Sequence, residues 1–482
     1  MLLQIIGCIS SDQLYRDVRL SRKTAYQRWI SQKQKNEHSK THISGKVSMK
    51  DCLKIALTNN KTLKSILQEK DYARGERIKS YSAILPTVGL TGQYLRKDEV
   101  ASLGPITFGS INNYSADLQV TQPIFAGGSI PSRINSAKLF SLLTDEQVTQ
   151  AVQNIIFQAA QAYYDVLLNQ QLYQISNDAV RLSQANLQSV KEKRQAGVAS
   201  DFDVLRAQVE LSNDKAELIK NKNAINIAKA NLIKVMGVSQ QSDFTLSDEL
   251  VYNPIEVTME QAVKAAYQNR PDLISSELNI KSQIEQLRIA KSKYWPQLNG
   301  FFNHTWAKPD PKNSTNIEWG DAWNAGVTAN LPIFDGLARK GQVIQNEARL
   351  KQAQIDLIDA EETALLELTK ALSSIEDAAE FVDSQRLNIQ RAKEGLRLAK
   401  VGYREGTKTQ LETLDAQTAL TTAHANYYQA IFSHLTAKLS LYKAMGILTT
   451  YKPITSEEII GVESKQRHNT KENSEKSYHR SS

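Results

Sequence analysis

The side chains that most often do chemistry in proteins are few and scattered in this sequence. The chain has two cysteines, Cys8 and Cys52, and seven histidines among 482 residues. The cysteines lack Cys-x-x-Cys spacing, and His424 and His434 are ten residues apart, so no zinc site or helical metal pair is predicted. The sequence also contains no nucleophile–base spacing and no glycine-rich phosphate loop. We therefore expect neither an enzyme nor a bound cofactor or metal.

One short motif predicts a covalent modification. In the stretch IIGCIS, an aliphatic residue stands three positions before Cys8 and a glycine stands one position before it. A lipoprotein signal requires this arrangement, although residues 2–7 are short for its apolar core. We expect a signal peptide truncated at its front, with Cys8 as the lipidation site. A cysteine placed there by chance is the alternative.

Most of the excess of basic over acidic residues lies at the N-terminal end of the chain. Residues 1–48 hold nine Lys and Arg against three acidic residues, so they carry most of the net charge of +8. The rest of the chain is close to neutral, which argues against a nucleic-acid-binding face. The last segment, 457–482, is rich in Lys, Glu, Ser and Asn and is predicted to be disordered.

The chain reads as a tandem duplication. Its two copies share these landmarks, at offsets of 209 or 210 residues: Met49 and Met259, Pro86 and Pro296, Pro123 and Pro332, Gly197 and Gly406, Met236 and Met445. Landmarks that recur in register over such a length indicate an internal repeat. The predicted organisation is a leader and polar linker (1–48), a first repeat (49–258), a second repeat (259–456) and a polar tail (457–482).

Each repeat contains a predicted strand hairpin, at 86–125 and at 296–334. Apolar and uncharged polar residues alternate along both, which predicts strands with one apolar face. A half-buried soluble sheet has the same pattern. The length of the strands and the aromatic residues near their ends, such as Tyr94, Trp306 and Trp323, favour strands that cross a membrane.

Four strands are too few to close a membrane barrel. Unpaired backbone groups in lipid cost several kcal/mol each, and the smallest membrane barrels have about eight strands. Several chains must therefore pool their strands. Two chains supply eight and three supply twelve, and a pore with a lumen favours three or more.

Long helices fill most of the remaining sequence. After each PIF motif the helical period continues for about 60 residues, to Gly197 and to Gly406. An alanine stripe with a spacing of seven follows in the second copy, at Ala416, Ala423, Ala430, Ala437 and Ala444. Predicted helices 203–236 and 272–295 together match the length of the long helix, and we expect them to stack end to end beside it, as 410–445 and 62–85 would.

These features resemble the TolC-type outer-membrane efflux proteins over roughly residues 48–450. The resemblance lies in QPIFAGG at 122–128, LPIFDGL at 331–337, RQAGVASDFDVLRAQVEL at 194–211 and GYREGTKTQLETLDAQTAL at 402–420. It implies a mainly α fold with a transmembrane β part: a homotrimer with a twelve-stranded β-barrel in outer-membrane lipid and a twelve-helix α-barrel tunnel in the periplasm. It also implies a periplasmic adaptor protein and an inner-membrane pump as partners.

The function implied is passive export of small molecules such as drugs, toxic compounds or metals, through a channel gated at its periplasmic tip. Type I protein secretion and a non-membrane coiled-coil rod are the alternatives. The resemblance implies that Gly197 and Gly406 mark the tip turns, where the adaptor docks. Pro123 and Pro332 are predicted to end the membrane strands, because proline cannot donate to the strand ladder.

The gate residues are carried over by the same resemblance. Tyr403 and Lys408 are the implied links between the two helical hairpins, with Asp203 as a candidate partner. Glu412 and Asp415 are the implied ring that narrows the pore. The sequence departs from the family pattern in having Glu at the first ring position, where Asp is frequent, and in having an apolar residue, Phe202, where a polar link residue is expected.

Each of these residues also has a purely structural interpretation. Acidic residues in the first turn of a helix interact favourably with its dipole, so Asp203 and Glu412 are equally candidates for helix stabilisers. Tyr403 and Lys408 flank a turn and are candidates for ordinary surface residues. Gly197 and Gly406 fit C-terminal helix stops, a role compatible with adaptor docking.

Overall fold

A computed structural model describes residues 11–34, 43–103, 106–313 and 315–448. Cys8 and the tail 457–482, with the predictions made for them, lie outside these ranges. The helices are α1 (Ser11–Gln34), α2 (Met49–Asn59), α3 (Lys61–Tyr81), α4 (Ser129–Gln195), α5 (Asp201–Met236), α6 (Met259–Asn269), α7 (Pro271–Ser292), α8 (Ala338–Arg404) and α9 (Gln410–Ala444). The strands are β1 (Ser44–Val47), β2 (Thr87–Arg96), β3 (Ala101–Leu103), β4 (Ile106–Phe108), β5 (Asn112–Ala126), β6 (Asp243–Leu246), β7 (Gln297–Lys308) and β8 (Gly320–Asn330).

The order of the elements repeats. The series α2, α3, β2, β5, α4, α5 in the first half returns as α6, α7, β7, β8, α8, α9 in the second. The long helices α4 and α8 have 67 residues each, which corresponds to about 100 Å. The first half adds the small β3–β4 hairpin in the loop between β2 and β5.

The four long strands form one antiparallel sheet in the order β2-β5-β7-β8. Its register brings apolar residues together on one side: Val120 lies opposite Val88 on one neighbour and Phe302 on the other. The adjacent Gln119 lies opposite Asn303 on the other side. One side of the sheet is therefore apolar and the other polar, as the alternation in the sequence predicts.

The first strand does not end where the sequence predicts. β5 continues past Pro123 to Ala126 while it pairs with β7, and its register shifts between Pro123 and Phe125. The prediction that Pro123 ends the ladder is wrong. Pro123 marks an irregularity within the strand, because a residue without an N–H is tolerated where the ladder is already interrupted. The chain turns into α4 at Gly127 and Gly128, which both have positive φ.

In the second repeat the strand ends before the proline. β8 ends at Asn330, two residues before Pro332. Asp335, which stands at the position of Ala126 in the first copy, then anchors the start of α8. Its Oδ2 accepts hydrogen bonds from the Arg339 backbone N–H at 3.0 Å and from Arg339 Nε at 2.9 Å. Asp335 therefore stabilises the first turn of the long helix.

The short helices meet in pairs, but not in the predicted pairs. Asn60, immediately before α3, donates from Nδ2 to the Val235 carbonyl in the last turn of α5 at 2.8 Å. Its Oδ1 accepts from the Thr62 backbone N–H at 2.9 Å. Gly237 has φ of 71°, and a Cβ there would overlap the Asn59 carbonyl. The end of α5 therefore abuts the start of α3 rather than that of α7.

In the second repeat a charged residue makes the corresponding end-to-end helix contact, or joint. Arg270, the counterpart of Asn60, donates from Nη1 to the Ala444 carbonyl at 3.1 Å, so the end of α9 abuts the start of α7. The predicted stacking of α5 on α7 and of α9 on α3 is wrong. Since α3 has 21 residues and α7 has 22, the sums of helix lengths are nearly the same for either pairing.

The main apolar core surrounds these joints. It is built from α2, α4, α5, α6, α8 and α9, and its fully buried side chains include Tyr163, Leu232, Met236, Leu368 and Ile431. Four alanines of the predicted stripe, Ala423, Ala430, Ala437 and Ala444, are buried. A separate small cluster of Leu187, Val190, Ala207 and Leu211 lies between α4 and α5. The core thus joins both repeats at mid-length and thins out toward the tips.

The segment predicted as leader and linker contains ordered elements. Residues 11–34 form α1, and β1 pairs in parallel with β6. Val47 is buried there, with 3% of its surface exposed, and the Tyr163 hydroxyl donates to its carbonyl at 3.0 Å. The description of 1–48 as a polar linker is therefore incomplete. A four-residue strand whose partner lies about 200 residues away leaves no periodic signal.

Candidate gate at the helix-turn tips

Two tight turns close the helical hairpins at the far end of the molecule from the sheet. We name α4 with α5 the first hairpin and α8 with α9 the second hairpin. Gly197 and Gly406 both have φ of 76°, the left-handed conformation that glycine adopts without strain. The Val198 N–H donates to the Lys193 carbonyl at 2.9 Å, and the Thr407 N–H donates to the Gly402 carbonyl at 2.8 Å. Both long helices therefore end in the same glycine-dependent C-cap.

The return helices begin with capping boxes that contain two of the predicted gate residues. Asp203 Oδ2 accepts from the Ser200 N–H at 2.9 Å, and Ser200 Oγ accepts from the Asp203 N–H at 3.2 Å. In the second hairpin, Glu412 Oε2 accepts from the Thr409 N–H at 2.8 Å, and Thr409 Oγ1 accepts from the Glu412 N–H at 3.3 Å. The interpretation of Asp203 and Glu412 as helix N-terminal stabilisers is confirmed.

Lys408 pairs within its own hairpin. Its Nζ donates to Glu412 Oε1 at 2.5 Å, so the ammonium group is bound by a carboxylate of its own helix start rather than by the first hairpin. The hydrogen bond from Lys408, followed by those from Thr409, lowers the pKa of Glu412 to about 2. Glu412 is therefore ionised throughout the physiological pH range.

Asp415 lies one turn after Glu412 and is exposed. Carboxylates of the first hairpin lie near it. Burial raises the pKa of Glu210, and the charges of Asp214 and Asp415 raise it further. Acidic groups from both hairpins thus share one region behind the tips, and bringing further negative charge there is unfavourable.

Tyr403 contacts the first hairpin through its ring. Lys193 Nζ lies 3.5 Å from the centroid of the Tyr403 ring. Burial, and then the carboxylate of Asp203, raise the pKa of the Tyr403 phenol, so it is neutral at physiological pH. Within the described residues the Tyr403 hydroxyl makes no hydrogen bond, to Asp203 or otherwise. The structure therefore brings Tyr403 and Asp203 near each other without the predicted direct link.

Hydrogen bonds connect the two hairpins above the tips. Gln410 Nε2 donates to the Asp203 carbonyl at 3.2 Å, and Gln417 Nε2 donates to Ser183 Oγ at 3.0 Å. Thr418 Oγ1 donates to Glu210 Oε1 at 3.4 Å. We name these contacts the polar seam. The small buried apolar cluster at this level lies between α4 and α5, within the first hairpin, whereas the hydrogen bonds of the polar seam run between the hairpins.

The described helices and the described metal-binding side-chain types exclude two kinds of feature. None of the helices in that part of the chain is long and apolar enough to cross a membrane. In the same ranges, no group of three or more His, Cys, Asp and Glu side chains is arranged to hold a metal ion.

A family model decides the identity of the fold. The model described as "Outer membrane efflux protein" matches residues 52–238 and 262–447, the two repeats that the structure shows. The chain belongs to the outer membrane efflux protein family. As a member of this family, it is an outer-membrane efflux channel protein of a Gram-negative bacterium. The alternative of a non-membrane coiled-coil rod is thereby set aside.

Known members of the outer membrane efflux protein family match most of the chain. The probable efflux pump outer membrane protein TtgC of Pseudomonas putida is 24% identical over 406 residues, 83% of this chain and 83% of TtgC. The outer membrane protein TolC of Vibrio cholerae is 22% identical over 401 residues, 82% of this chain and 89% of TolC. The solved structure of CusC superposes with a TM-score of 0.73 at 17% identity, covering 83% of this chain and 92% of CusC. The likeness to CusC shows that the fold is that of the family's channels.

Some residues of this efflux protein's tip region had escaped prediction from the sequence. Lys193 stands in the last turn of α4, where basic residues are common because they complement the helix dipole, so its type carries no special signal. Gln410 is an ordinary residue at a helix start. Glu210 follows Asp203 by seven residues, and that heptad spacing was the one available sign that both lie on the same face of α5.

Proposed function

We propose that three copies of the chain form a channel-tunnel that exports small molecules, such as drugs, toxic compounds or metals, across the outer membrane. Four strands from each copy close a twelve-stranded barrel in the lipid, and the long helices form a twelve-helix tunnel in the periplasm. The observation that carries this proposal is the four-stranded sheet, which has one apolar face and two free edges.

The free edges are the strongest argument for several copies. Within the described sheet, β2 and β8 each pair on one side only. Unpaired N–H and C=O groups in lipid cost several kcal/mol each, so a sheet with an apolar face and two free edges is not stable there. Pairing β8 of one copy with β2 of the next satisfies both edges, and three copies supply the twelve strands of a closed barrel.

The helices carry apolar residues that the single chain leaves exposed. On the first hairpin these include Val198, Phe202, Leu205, Val209, Ile219 and Ile227, and on α8 they include Ile344, Ile355, Ile358, Leu366 and Leu398. Phe202 is 69% exposed and is followed by Leu205 and Val209 at coiled-coil spacing. Apolar stripes of this kind support side-by-side packing of copies around a common axis.

The tips are proposed to form the gate. In a trimer, Glu412 and Asp415 bring up to six carboxylates around the axis, a charge that attracts cations and hinders anions. The polar seam and the Tyr403 ring hold the second hairpin against the first. Because the small apolar cluster lies within the first hairpin and hydrogen bonds connect the two hairpins, opening of the tip breaks polar contacts and leaves that cluster intact.

The partners proposed are a periplasmic adaptor protein, docking at the turns of Gly197 and Gly406, and an inner-membrane pump. TtgC carries the name of an efflux pump component, which supports a place for this chain in such an assembly. Protein secretion with a different inner-membrane partner is the second candidate. Loss of drug resistance with intact secretion in a deletion strain supports efflux, and the reverse result supports secretion.

The lipid-facing side of the sheet provides a test of the barrel. Val120→Arg puts a charge on the apolar face, which is expected to cost about 2–4 kcal/mol near the middle of the bilayer and to prevent assembly. Gln119→Arg puts the same charge on the polar face and is the matched control. The measurement is the heat-dependent shift of the protein on a detergent gel, together with its amount in the outer-membrane fraction. If both variants assemble equally well, the apolar face does not contact lipid.

A further inference from the structure

The contact between Lys193 and Tyr403 links the last turns of the two long helices, next to the tips. Lys193 stands four residues before Gly197 on α4, and Tyr403 stands three residues before Gly406 on α8. The ammonium group lies 3.5 Å from the ring centroid, well inside the range of a cation–π interaction. Lys193 belongs to the first hairpin and Tyr403 to the second, so their contact extends the polar seam to the last turns of the long helices.

The charged groups around Lys193 and Tyr403 leave these two side chains to contact each other. In the described part of the chain no carboxylate lies within ion-pair distance of Lys193. The predicted acidic partner of Tyr403, Asp203, is occupied by its capping box with Ser200. Lys408, the other predicted partner, is held by Glu412. The Tyr403 ring, rather than its hydroxyl, is therefore the part that bridges the hairpins.

We propose that Lys193 is a gate-locking residue: its ammonium group, seated on the face of the Tyr403 ring, holds the second hairpin against the first in the closed state. This inference rests on the proposed gating at the tips and adds to it a residue and a kind of contact. A single cation–π contact is weak enough to be broken when a partner engages the tip, and three symmetry-related copies add their effects.

The lock can be tested with variants that keep the cation–π contact and variants that remove it. A cation–π contact needs a cation and an aromatic face, so Lys193→Arg and Tyr403→Phe keep it. Lys193→Gln removes the cation and Tyr403→Leu removes the ring. Lys191→Gln, two residues away on the same exposed stretch of α4, removes an equal charge without touching the ring and is the matched control.

The test is the open probability of single channels of the full-length protein in planar bilayers. Lys193→Gln and Tyr403→Leu are each expected to raise it roughly threefold to tenfold, and the double variant no further than either. Lys193→Arg, Tyr403→Phe and Lys191→Gln are expected to behave as the wild type.

Two outcomes overturn the lock. If Tyr403→Phe opens the channel as much as Tyr403→Leu, the hydroxyl and not the ring holds the gate. If Lys193→Gln matches Lys191→Gln, Lys193 contributes only general charge. Failure of the proposed gating itself looks different: in that case the wild type forms no channels, or the ring variant Glu412→Gln with Asp415→Asn also leaves conduction unchanged.

Discussion

Glu412→Gln combined with Asp415→Asn is expected to raise single-channel conductance and to weaken block by divalent cations at least about tenfold, which corresponds to about 1.4 kcal/mol of lost binding free energy. Two opposite unit charges 4 Å apart attract by about 1 kcal/mol even in water, and the proposed ring loses two carboxylates per protomer in this variant. The selectivity for cations over anions is expected to fall with the block. Conductance and divalent block are measured by recordings in planar bilayers with and without a divalent salt.

The choice of substitutions separates charge from folding. Glu412 holds the capping box of α9, and Gln performs that role at Gln261, which caps α6 with Thr258 in this same chain. Glu412→Gln therefore keeps the cap and removes the charge. Glu217→Gln, on the exposed middle of α5, is the control for loss of a carboxylate elsewhere. Unchanged conductance and block in the double variant, with the protein assembled, would show that Glu412 and Asp415 do not form the constriction.

The pH dependence of the ring follows from the pKa of Glu412. The folded-state pKa of about 2 lies below the usual value of 4.5, so the carboxylate is charged above about pH 3 and is neutralised only below it. In Asp415→Asn, where Glu412 alone carries the ring charge, divalent block is expected to persist from pH 7 to about pH 4. The contribution of the Glu412 cap to the free energy of unfolding depends on pH in the same direction. It is fully present above pH 4.5 and is lost as the pH falls toward 2. Loss of block near pH 5 in this variant would contradict the Lys408 pairing.

Arg270→Met is expected to destabilise the helical part by about 3 kcal/mol. The side chain of Arg270 is 7% exposed and binds Asp272 at 2.6 Å and Glu367 at 2.7 Å as well as the Ala444 carbonyl. Breaking a buried ion pair costs about 3–5 kcal/mol, and the lower end applies because Asp272 and Glu367 are 34% and 51% exposed and regain water. The measurement is the thermal unfolding midpoint by circular dichroism in detergent.

The repeat supplies a matched control for this joint. Asn60 makes the corresponding contact in the first repeat but carries no charge. Asn60→Ala removes a cap and one hydrogen bond and is expected to cost about 1–2 kcal/mol. The midpoint is therefore expected to fall further for Arg270→Met than for Asn60→Ala. An equal or smaller fall for Arg270→Met would show that the ion pairs add no stability.

The long helices and strands were predictable because they depend on local periodicity. The helical pattern after each PIF motif predicts α4 and α8, and the alternation in 86–125 and 296–334 predicts the sheet with its apolar face. The duplication helped, because each landmark was seen twice. Gly197 and Gly406 were predictable as turns for the same local reason: a left-handed cap requires glycine at the end of a helix.

The failures in helix stacking and in the N-terminal segment concern partners that are distant in the sequence. Stacking of α5 on α3 rather than α7 is decided by Asn60 and Gly237, and no length argument contains that information. The pairing of β1 with β6 joins segments about 200 residues apart. At the tips the chemistry of Lys408 is local, since it pairs with Glu412 one turn away, whereas Lys193 reaches Tyr403 from another helix and is visible only in the fold.

Copies of this chain are proposed to assemble into a gated outer-membrane pore. The most direct measurement is single-channel conductance of the purified full-length protein in planar bilayers, with the mass of the same preparation taken on a native gel. We expect particles of three chains that give uniform, cation-selective conductance steps. Particles of one chain, or three-chain particles that give no conductance steps even in the Glu412→Gln, Asp415→Asn variant, would contradict it.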